Sequence, residues 1–145
     1  MKIYLDTSSL QRPLDNRNQI RINIEAEAVL GILSLFESGQ VELISSEALH
    51  FEIERNPNMA RQEYALDVLS KATTVVMVTD EIERRAREFI ALGVKPLDAL
   101  HLASAEQAPA DLFCTCDDRL LRKAKSLALR IRAMSPVDVI EEMNK

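Results

Sequence analysis

The sequence has little of what would commit it to a membrane, a disulfide scaffold or a strongly basic surface. It contains two cysteines, too few for a disulfide framework, and none of its apolar runs approaches the roughly 20 residues that span a bilayer. The formal charge of −5 gives no overall positive field that would attract nucleic acid or an anionic membrane. Tryptophan is absent and only 4% of the residues are aromatic, so base stacking cannot dominate any affinity for nucleic acid.

What is present has the balance of a globular domain. Apolar residues make up 47% of the sequence and charged residues 28%, which is enough apolar material to bury a core. The length suits one domain, and no internal repeat or flexible linker divides it, so we expect residues 1–145 to form a single domain. The segment Met1–Asp6 is interrupted by an acid before a secretory apolar region could form. We therefore expect a cytoplasmic protein with no membrane partner.

Short β-rich segments alternate along the chain with longer segments of helical period. The predicted strands are Lys2–Leu5, Val41–Ser45, Thr74–Val78, Leu112–Thr115 and Arg130–Ala133. The predicted helices are Glu25–Glu37, Glu47–Arg55, Arg61–Lys71, Asp80–Leu92, Leu97–Glu106, Arg119–Leu127 and Pro136–Met143. Strands separated by helices pair in parallel through right-handed crossovers. We therefore expect an α/β fold, a three-layer α/β/α sandwich with a central, mostly parallel sheet whose ligands bind beyond the carboxyl ends of the strands.

Two acids follow predicted strands and so lie at that edge of the sheet. Asp6 comes directly after the first strand, although an N-cap or Asx-turn role is an alternative for this residue alone. Asp117 follows the fourth predicted strand in the same way. We expect the neighbouring Asp118 to be the N-cap of the helix from Arg119, which leaves Asp117 as the candidate functional acid.

Two further acids lie on the apolar sides of predicted helices. Asp98 is in the first turn of an Ala/Leu-rich helix, where it either complements the helix dipole or forms part of a site. Glu52 shares a helical face with Leu49. Acids in apolar surroundings need partners. His101 lies one turn beyond Asp98, and we expect it to be packed or hydrogen-bonded.

These four acids come from separate β/α units, and the α/β topology can bring them to one end of the sheet. Carboxylates that converge repel one another unless a cation neutralises them. Oxygen ligands favour Mg²⁺ or Mn²⁺ over zinc. The pattern therefore predicts metal-assisted attack of water on a phosphoryl group.

The order and spacing of these residues resemble the PIN domain family, the ribonuclease fold of VapC-type toxins of bacterial toxin–antitoxin systems. The landmarks are Leu5-Asp6-Thr7-Ser8, Ser46 followed by Glu52, Asp98-Ala99-Leu100-His101-Leu102-Ala103-Ser104-Ala105, and Thr115-Cys116-Asp117. The resemblance covers nearly the whole chain. It implies an endoribonuclease that uses Mg²⁺ or Mn²⁺ to cleave RNA, with Asp6, Glu52, Asp98 and Asp117 as its catalytic acids.

The resemblance also implies roles and partners. Asp6 and Asp98 would be the main metal ligands, with Asp117 as a further ligand, while Glu52 and Asp117 would help hold a second ion or orient water. The hydroxyls of Thr7, Ser8 and Thr115 would lie beside the acids and bind substrate. Arg12 and Arg119 are further candidate substrate contacts, whose alternatives are a turn and a solvated helix face. The partners are RNA, an antitoxin protein and a second copy of the chain. The segment from Val29 to Phe36 could form a dimer interface or belong to the core.

Two other functions stay open at this point. One is a PIN-like module that binds RNA or a protein without cleaving it, although four clustered acids would have no purpose there. The other is a Mg²⁺-dependent phosphatase of the haloacid-dehalogenase type, which needs a second acid two residues after its nucleophile, where this chain has Ser8.

Overall fold

The computed structural model describes all 145 residues, and its centre is one sheet of five parallel strands. The strands are β1 (Lys2–Leu5), β2 (Glu42–Ser46), β3 (Thr74–Val76), β4 (Leu112–Cys114) and β5 (Arg132–Met134). They are arranged in the order β3-β2-β1-β4-β5, and every neighbouring pair is parallel. The predicted parallel sheet is therefore confirmed.

Helices follow the strands and cover the sheet. They are α1 (Thr7–Leu10), α2 (Ile20–Glu37), α3 (Glu47–Glu54), α4 (Met59–Leu69), α5 (Asp80–Ala91), α6 (Pro96–Gln107), α7 (Asp118–Ser126) and α8 (Pro136–Met143), with a short 3₁₀ turn at Arg12–Leu14. The connections from β1 to β3 run one way across the sheet, and those from β3 to β5 run the other way. Right-handed crossovers therefore place α2 and α4 on one face and α5 to α7 on the other, which gives three layers. None of the helices is both long and apolar enough to cross a membrane.

Strand β1 lies at the centre of the sheet, and its burial explains its sequence. Ile3, Tyr4 and Leu5 are fully buried because helices cover both faces of a central parallel strand. Leu5 pairs with Cys114 of β4, and the backbone N–H of Asp6 continues the pairing to the Cys114 carbonyl. The strand thus delivers Asp6 to the carboxyl edge, directly beside the end of β4.

Helix α6 carries Asp98 on a rigid element. Pro96 stands at the start of the helix, where its missing N–H costs no intrahelical hydrogen bond. Ala99, Leu102 and Ala103 are buried, so the position of the helix is fixed by packing. Asp98, in the first turn, consequently projects at a defined place near the carboxyl ends of the strands.

Candidate active site

Asp6 is a buried carboxylate whose two oxygens are both occupied by hydrogen bonds. It is the N-cap of α1: Oδ1 accepts from the backbone N–H of Ser9 at 3.0 Å and from Ser8 Oγ at 2.7 Å. Oδ2 accepts from Thr115 Oγ1 at 2.6 Å. Burial raises the pKa of Asp6, and these three hydrogen bonds oppose that rise by stabilising the ionised form. Asp6 is therefore the N-cap of a helix and a member of the candidate site at the same time.

Asp98 is half-buried, and the charges of the other three candidate acids affect its pKa. Burial raises its pKa to about 6, and the negative charges of Asp6, Asp117 and Glu52 raise it further against the opposing effect of His101. Charges act on each other in this way only at short range in a protein. The four acids predicted from the sequence therefore form one electrostatic cluster at the carboxyl edge of the sheet.

Glu52 reaches the cluster from α3, which begins immediately after β2. Its Oε1 accepts a short hydrogen bond from Thr7 Oγ1 and one of 2.9 Å from His101 Nε2. Burial alone would raise the pKa of Glu52, but the hydrogen bonds and the charge of His101 outweigh it and lower the pKa. Glu52 is therefore an ionised carboxylate held through one of its two oxygens.

Helix α7 is capped by Asp117 and not by Asp118. Asp117 Oδ1 accepts from the backbone N–H groups of Arg119 and Leu120, so Asp117 is the N-cap of α7. The prediction that Asp118 caps this helix is wrong. Asp118 lies in the first turn, where Arg21 of α2 donates to both of its oxygens at 2.6 Å. Asp117 is exposed and its Oδ2 is free of the cap. It lines the same cleft as Asp98 and its charge raises the pKa of Asp98, so it belongs to the cluster as well as to the helix end.

The hydroxyls predicted beside the site occupy it as hydrogen-bond donors to its acids. Thr7 holds Glu52, while Ser8 and Thr115 hold Asp6. Thr115 Oγ1 also accepts from the backbone N–H of Asp117 at 3.0 Å, and Ser8 Oγ accepts from that of Cys116 at 3.1 Å. These three residues thus position the acids, and their contact with substrate stays a prediction.

Arg12 is tied into an ion-pair network on the α2 side of the site. Its guanidinium donates to the buried Glu25 at 2.7 and 3.1 Å and to Asp15 at 3.0 Å. Arg21 pairs with the same Glu25 and with Asp118. The side chain of Arg12 is therefore engaged inside the protein, which favours the turn-shaping alternative over substrate contact.

Arg119 lines a small cleft that joins two of the acids to unpaired cations. This acid–cation cleft has a volume of about 200 Å³ and is lined by Gly93, Val94, Lys95, Asp98, Asp117, Arg119, Leu120 and Lys123. Lys95, Arg119 and Lys123 form no ion pair in the chain. A larger cavity, of about 490 Å³ beside β5, contains none of the four acids. The smaller cleft is the candidate site because chemistry requires reactive groups rather than volume.

Gly93 shapes this cleft through its backbone. Its φ of +99° lies in the left-handed region that disfavours a side chain, and a Cβ atom there would stand 3.2 Å from Lys123 Nζ. The ammonium group of Lys123 therefore lies directly over the loop that precedes α6.

Sequence reasoning undervalued a set of buried polar residues behind the acids. His101 is buried and hydrogen-bonded, as expected, with Nδ1 2.7 Å from Tyr4 Oη and Nε2 on Glu52. Tyr4 Oη is in turn 2.6 Å from Ser46 Oγ. A signal was available, since Tyr4 interrupts an aliphatic strand and His101 an Ala/Leu helix, yet only the fold shows that they meet.

Residues 3–126 match the PIN domain family. The chain belongs to the PIN domain family. The match covers most of the chain and confirms the resemblance seen in the sequence. No curated protein matches the chain significantly by sequence.

Solved VapC-type structures share this PIN fold at low sequence identity. VapBC2 from Rickettsia felis, solved with a DNA fragment from their promoter, has a TM-score of 0.62 at 12% identity, over 93% of this chain and 98% of that chain. VapBC-1 from nontypeable Haemophilus influenzae has a TM-score of 0.60 at 14% identity, over 94% of this chain and 99% of that chain. VapC20 from Mycobacterium tuberculosis, a sarcin–ricin loop cleaving toxin, has a TM-score of 0.56 at 18% identity, over 81% of this chain and 92% of that chain. The likeness confirms the three-layer α/β/α fold.

A PIN domain implies a divalent cation, and the donor set of this site fits one. As the side chains stand, no group of three or more His, Cys, Asp or Glu side chains is arranged to hold a metal ion. Mg²⁺ keeps several of its waters and is usually bound through only one or two carboxylates, so a three-ligand group is not required. Burial is the main cause of the raised pKa of Asp98, and the negative charges of Asp6, Asp117 and Glu52 add to it. A divalent cation would relieve that repulsion.

Proposed function

We propose that this PIN domain is a Mg²⁺- or Mn²⁺-dependent endoribonuclease that cleaves single-stranded or structured RNA. The observation that carries the proposal is the convergence of four acids at the carboxyl edge of the sheet. Asp98 and Asp117 line one cleft, and Thr115 links Asp6 to the backbone of Asp117. The charges of Asp6, Asp117 and Glu52 all raise the pKa of Asp98. A surface that only binds gains nothing from mutually repelling acids, whereas phosphodiester hydrolysis needs them to hold a cation. VapC20, which shares the fold, is a sarcin–ricin loop cleaving toxin.

The residues divide the proposed work among themselves. Of Asp6, Asp98 and Asp117, one or two would bind the cation directly and the rest through its waters. The cation, when bound, polarises the phosphoryl oxygen and lowers the pKa of its water. Glu52, fixed through Oε1, would orient the attacking water with Oε2. Because its pKa is lowered, Glu52 stays ionised and can accept a hydrogen bond from the water.

The acid–cation cleft would receive the phosphate backbone of the RNA. Lys95, Arg119 and Lys123 lack partners in the chain, and phosphates adjoining the scissile bond would neutralise them. The cations stand beside Asp98 and Asp117, so a polyanion is attracted despite the net charge of −5. These cations would allow an acidic protein to hold RNA locally.

A cleavage assay with a mixed RNA substrate tests this function. Cleavage should require Mg²⁺ or Mn²⁺ and cease in excess EDTA. The products should carry 5′-phosphate and 3′-hydroxyl ends, since water rather than the 2′-hydroxyl attacks. Asp6→Asn and Asp98→Asn should each lower the rate by about 100-fold or more, as loss of a main electrostatic group commonly does.

The controls for this assay come from the same chain. Glu54→Gln removes an exposed carboxylate of α3 outside the cluster and should leave the rate unchanged. The Asp6→Asn, Asp98→Asn double variant should be little worse than either single variant, because residues that build one site act as a unit. Products with 2′,3′-cyclic phosphate ends, or full activity in EDTA, would overturn the proposal.

An antitoxin protein is the partner that we propose for this domain. Two structures with the same fold are VapBC complexes. An apolar cleft of about 380 Å³ between α2 and α4, lined by Leu30, Leu33, Phe36, Tyr64 and Val68 among others, is suited to an apolar segment of such a protein. The protein encoded beside this gene, added to the cleavage assay, should inhibit it; self-association of the pure chain through α2 instead would indicate a second copy as the occupant.

A further inference from the structure

A chain of hydrogen-bonded polar side chains runs from the interior to the candidate site. This buried polar chain consists of Ser46, Tyr4, His101, Glu52 and Thr7, and it joins β1, β2, α1, α3 and α6. The first three members are at most 1% exposed, whereas Glu52 is half-buried. Only its Glu52 end therefore meets the acids of the site.

Each inner member of the chain is fixed from more than one side. Ser46 Oγ accepts from the backbone N–H of Leu49 at 3.0 Å as the N-cap of α3. The ring of Tyr4 stacks on Phe113, with ring centroids 5.4 Å apart, and meets the His101 ring edge-on. The imidazole is thus held by the Tyr4 hydroxyl at Nδ1 and by packing around the ring.

The geometry decides which nitrogen of His101 carries a proton toward the site. An ionised carboxylate only accepts hydrogen bonds, so at 2.9 Å from Glu52 Oε1 the Nε2 atom is the donor. Thr7 Oγ1 donates to the same oxygen. With Oε1 held from two directions, Oε2 has no hydrogen-bond partner in the chain and is left for the site.

We propose that His101 is a positioning residue of the active site, whose Nε2–H fixes Glu52 so that Oε2 faces the cation and the attacking water. This inference rests on the proposed function. His101 lies one turn after Asp98 on the same face of α6. Helix α6 therefore positions Asp98 directly and Glu52 through the imidazole of His101. Tyr4 and Ser46 prevent the ring from turning and thereby fix the spacing between the two acids.

Two substitutions of His101 separate its two hydrogen bonds. In His101→Gln the side-chain nitrogen is four bonds from Cα, as Nε2 is, so the hydrogen bond to Glu52 is kept and the one to Tyr4 is lost. In His101→Asn the nitrogen is three bonds away, as Nδ1 is, so the contact with Tyr4 is kept and the one with Glu52 is lost. Both variants open space in the same buried position, so each is the stability control of the other.

Two readouts apply to these variants, and one does not depend on activity. His101→Asn should weaken Mn²⁺ binding in calorimetry and lower kcat for RNA cleavage, each by about 10- to 100-fold, with KM little changed. His101→Gln should stay within about threefold of the wild type in both, because the hydrogen bond to Glu52 is retained. Tyr4→Phe keeps the ring that stacks on Phe113 and should lower kcat in the same direction by a smaller factor.

Nuclear magnetic resonance tests the hydrogen bond itself in the metal-free protein. The chain has two histidines, His50 and His101, so a His50→Gln variant assigns the ring signals. The Nε2 of His101 should carry a proton, and its shift should move in Glu52→Ala.

The outcomes separate this inference from the proposed function. Equal Mn²⁺ affinities of the Asn and Gln variants, or an Nε2 signal indifferent to Glu52→Ala, would overturn the positioning role and leave a purely structural one. If the wild type binds Mn²⁺ but cleaves no RNA, the proposed function fails, and the Mn²⁺ affinities alone decide the role of His101. If His101→Asn does not fold, Tyr4→Phe and His101→Gln carry the same comparison, and an unchanged kcat in Tyr4→Phe then counts against the inference.

Discussion

The two sides of the candidate site are built in opposite ways. On the inner side, Asp6 and Glu52 receive hydrogen bonds from hydroxyls, a backbone N–H and an imidazole. On the outer side, no hydrogen bond offsets the burial and repulsion that raise the pKa of Asp98. The cations Lys95 and Lys123 beside it have no acidic partner.

The contrast separates what folding satisfies from what a ligand must satisfy. Buried polar groups that are paired fix geometry, because leaving any one of them unpaired would cost stability. Unpaired charges at a cleft are compensated only when an ion of opposite sign binds. The inner side therefore sets where the acids stand, and the outer side sets what they attract.

The largest effect is expected on the inner side, at Thr115. Its buried hydroxyl donates to Asp6 at 2.6 Å and accepts from the backbone N–H of Asp117 at 3.0 Å. Thr115→Val keeps the shape and leaves both partners unpaired, so the free energy of unfolding should fall by about 2 kcal/mol in urea titrations. Thr115→Ser keeps the hydroxyl and should lose only about 0.8 kcal/mol, the share of one methyl group. Equal losses would show that the hydroxyl does not support the inner side.

A smaller effect, of opposite sign, is expected at Asp98 on the outer side. Its folded-state pKa of about 6 lies above that of an unfolded aspartate, so its contribution to stability is full below about pH 4 and is lost as the pH rises through 6. Asp98→Asn cannot ionise and should be more stable than the wild type at pH 8 without metal. The shift corresponds to at most about 3 kcal/mol, which partial exposure reduces to about 1–2 kcal/mol.

Asp118 provides the matched control for that measurement. It is exposed, and Arg21, which donates to both of its oxygens, lowers its pKa. Its contribution to stability is therefore present above the unfolded pKa, near 4, and lost below it. Asp118→Asn should be slightly less stable than the wild type at pH 8. A loss of stability in Asp98→Asn as well would mean that Asp98 is compensated in the folded protein and does not belong to the uncompensated side.

The central strand and the periodic helices could be predicted from the sequence, and the irregular segments could not. Strand β1 matches its predicted bounds because a central strand is a continuous apolar run. Helix α2 begins at Ile20, before the predicted start at Glu25. The prediction missed its first residues because Ile20 and Ile24, which are 79% and 51% exposed, break the amphipathic pattern. Helix α1 has four residues, Thr7–Leu10, too few to show a period.

The four candidate acids could be named in advance, while their individual roles could not. The local sequence shows whether an acid follows a strand or lies on the apolar face of a helix. This criterion selected Asp6, Asp117, Asp98 and Glu52. Asp117 caps α7, while Asp118 pairs with Arg21, which comes from another helix. The hydrogen bond between His101 and Glu52 likewise joins residues 49 positions apart. Local patterns contain no information on such contacts.

The smallest effect is expected from the unpaired cations of the outer side, and Lys123 tests them. Lys123→Gln should weaken binding of single-stranded RNA by about two- to fivefold in EDTA and reduce the salt dependence of log K by about 0.7, the share of one phosphate contact. Lys125→Gln removes the same charge from the same helix, but Lys125 lines the cavity beside β5 and not the acid–cation cleft. Fluorescence anisotropy across a salt series measures both variants. If Lys125→Gln weakened binding as much as Lys123→Gln, net charge alone would account for the affinity, and the cleft would have no special part in holding RNA. A larger loss in Lys123→Gln would show that an acidic protein binds a polyanion through the unpaired cations of this cleft.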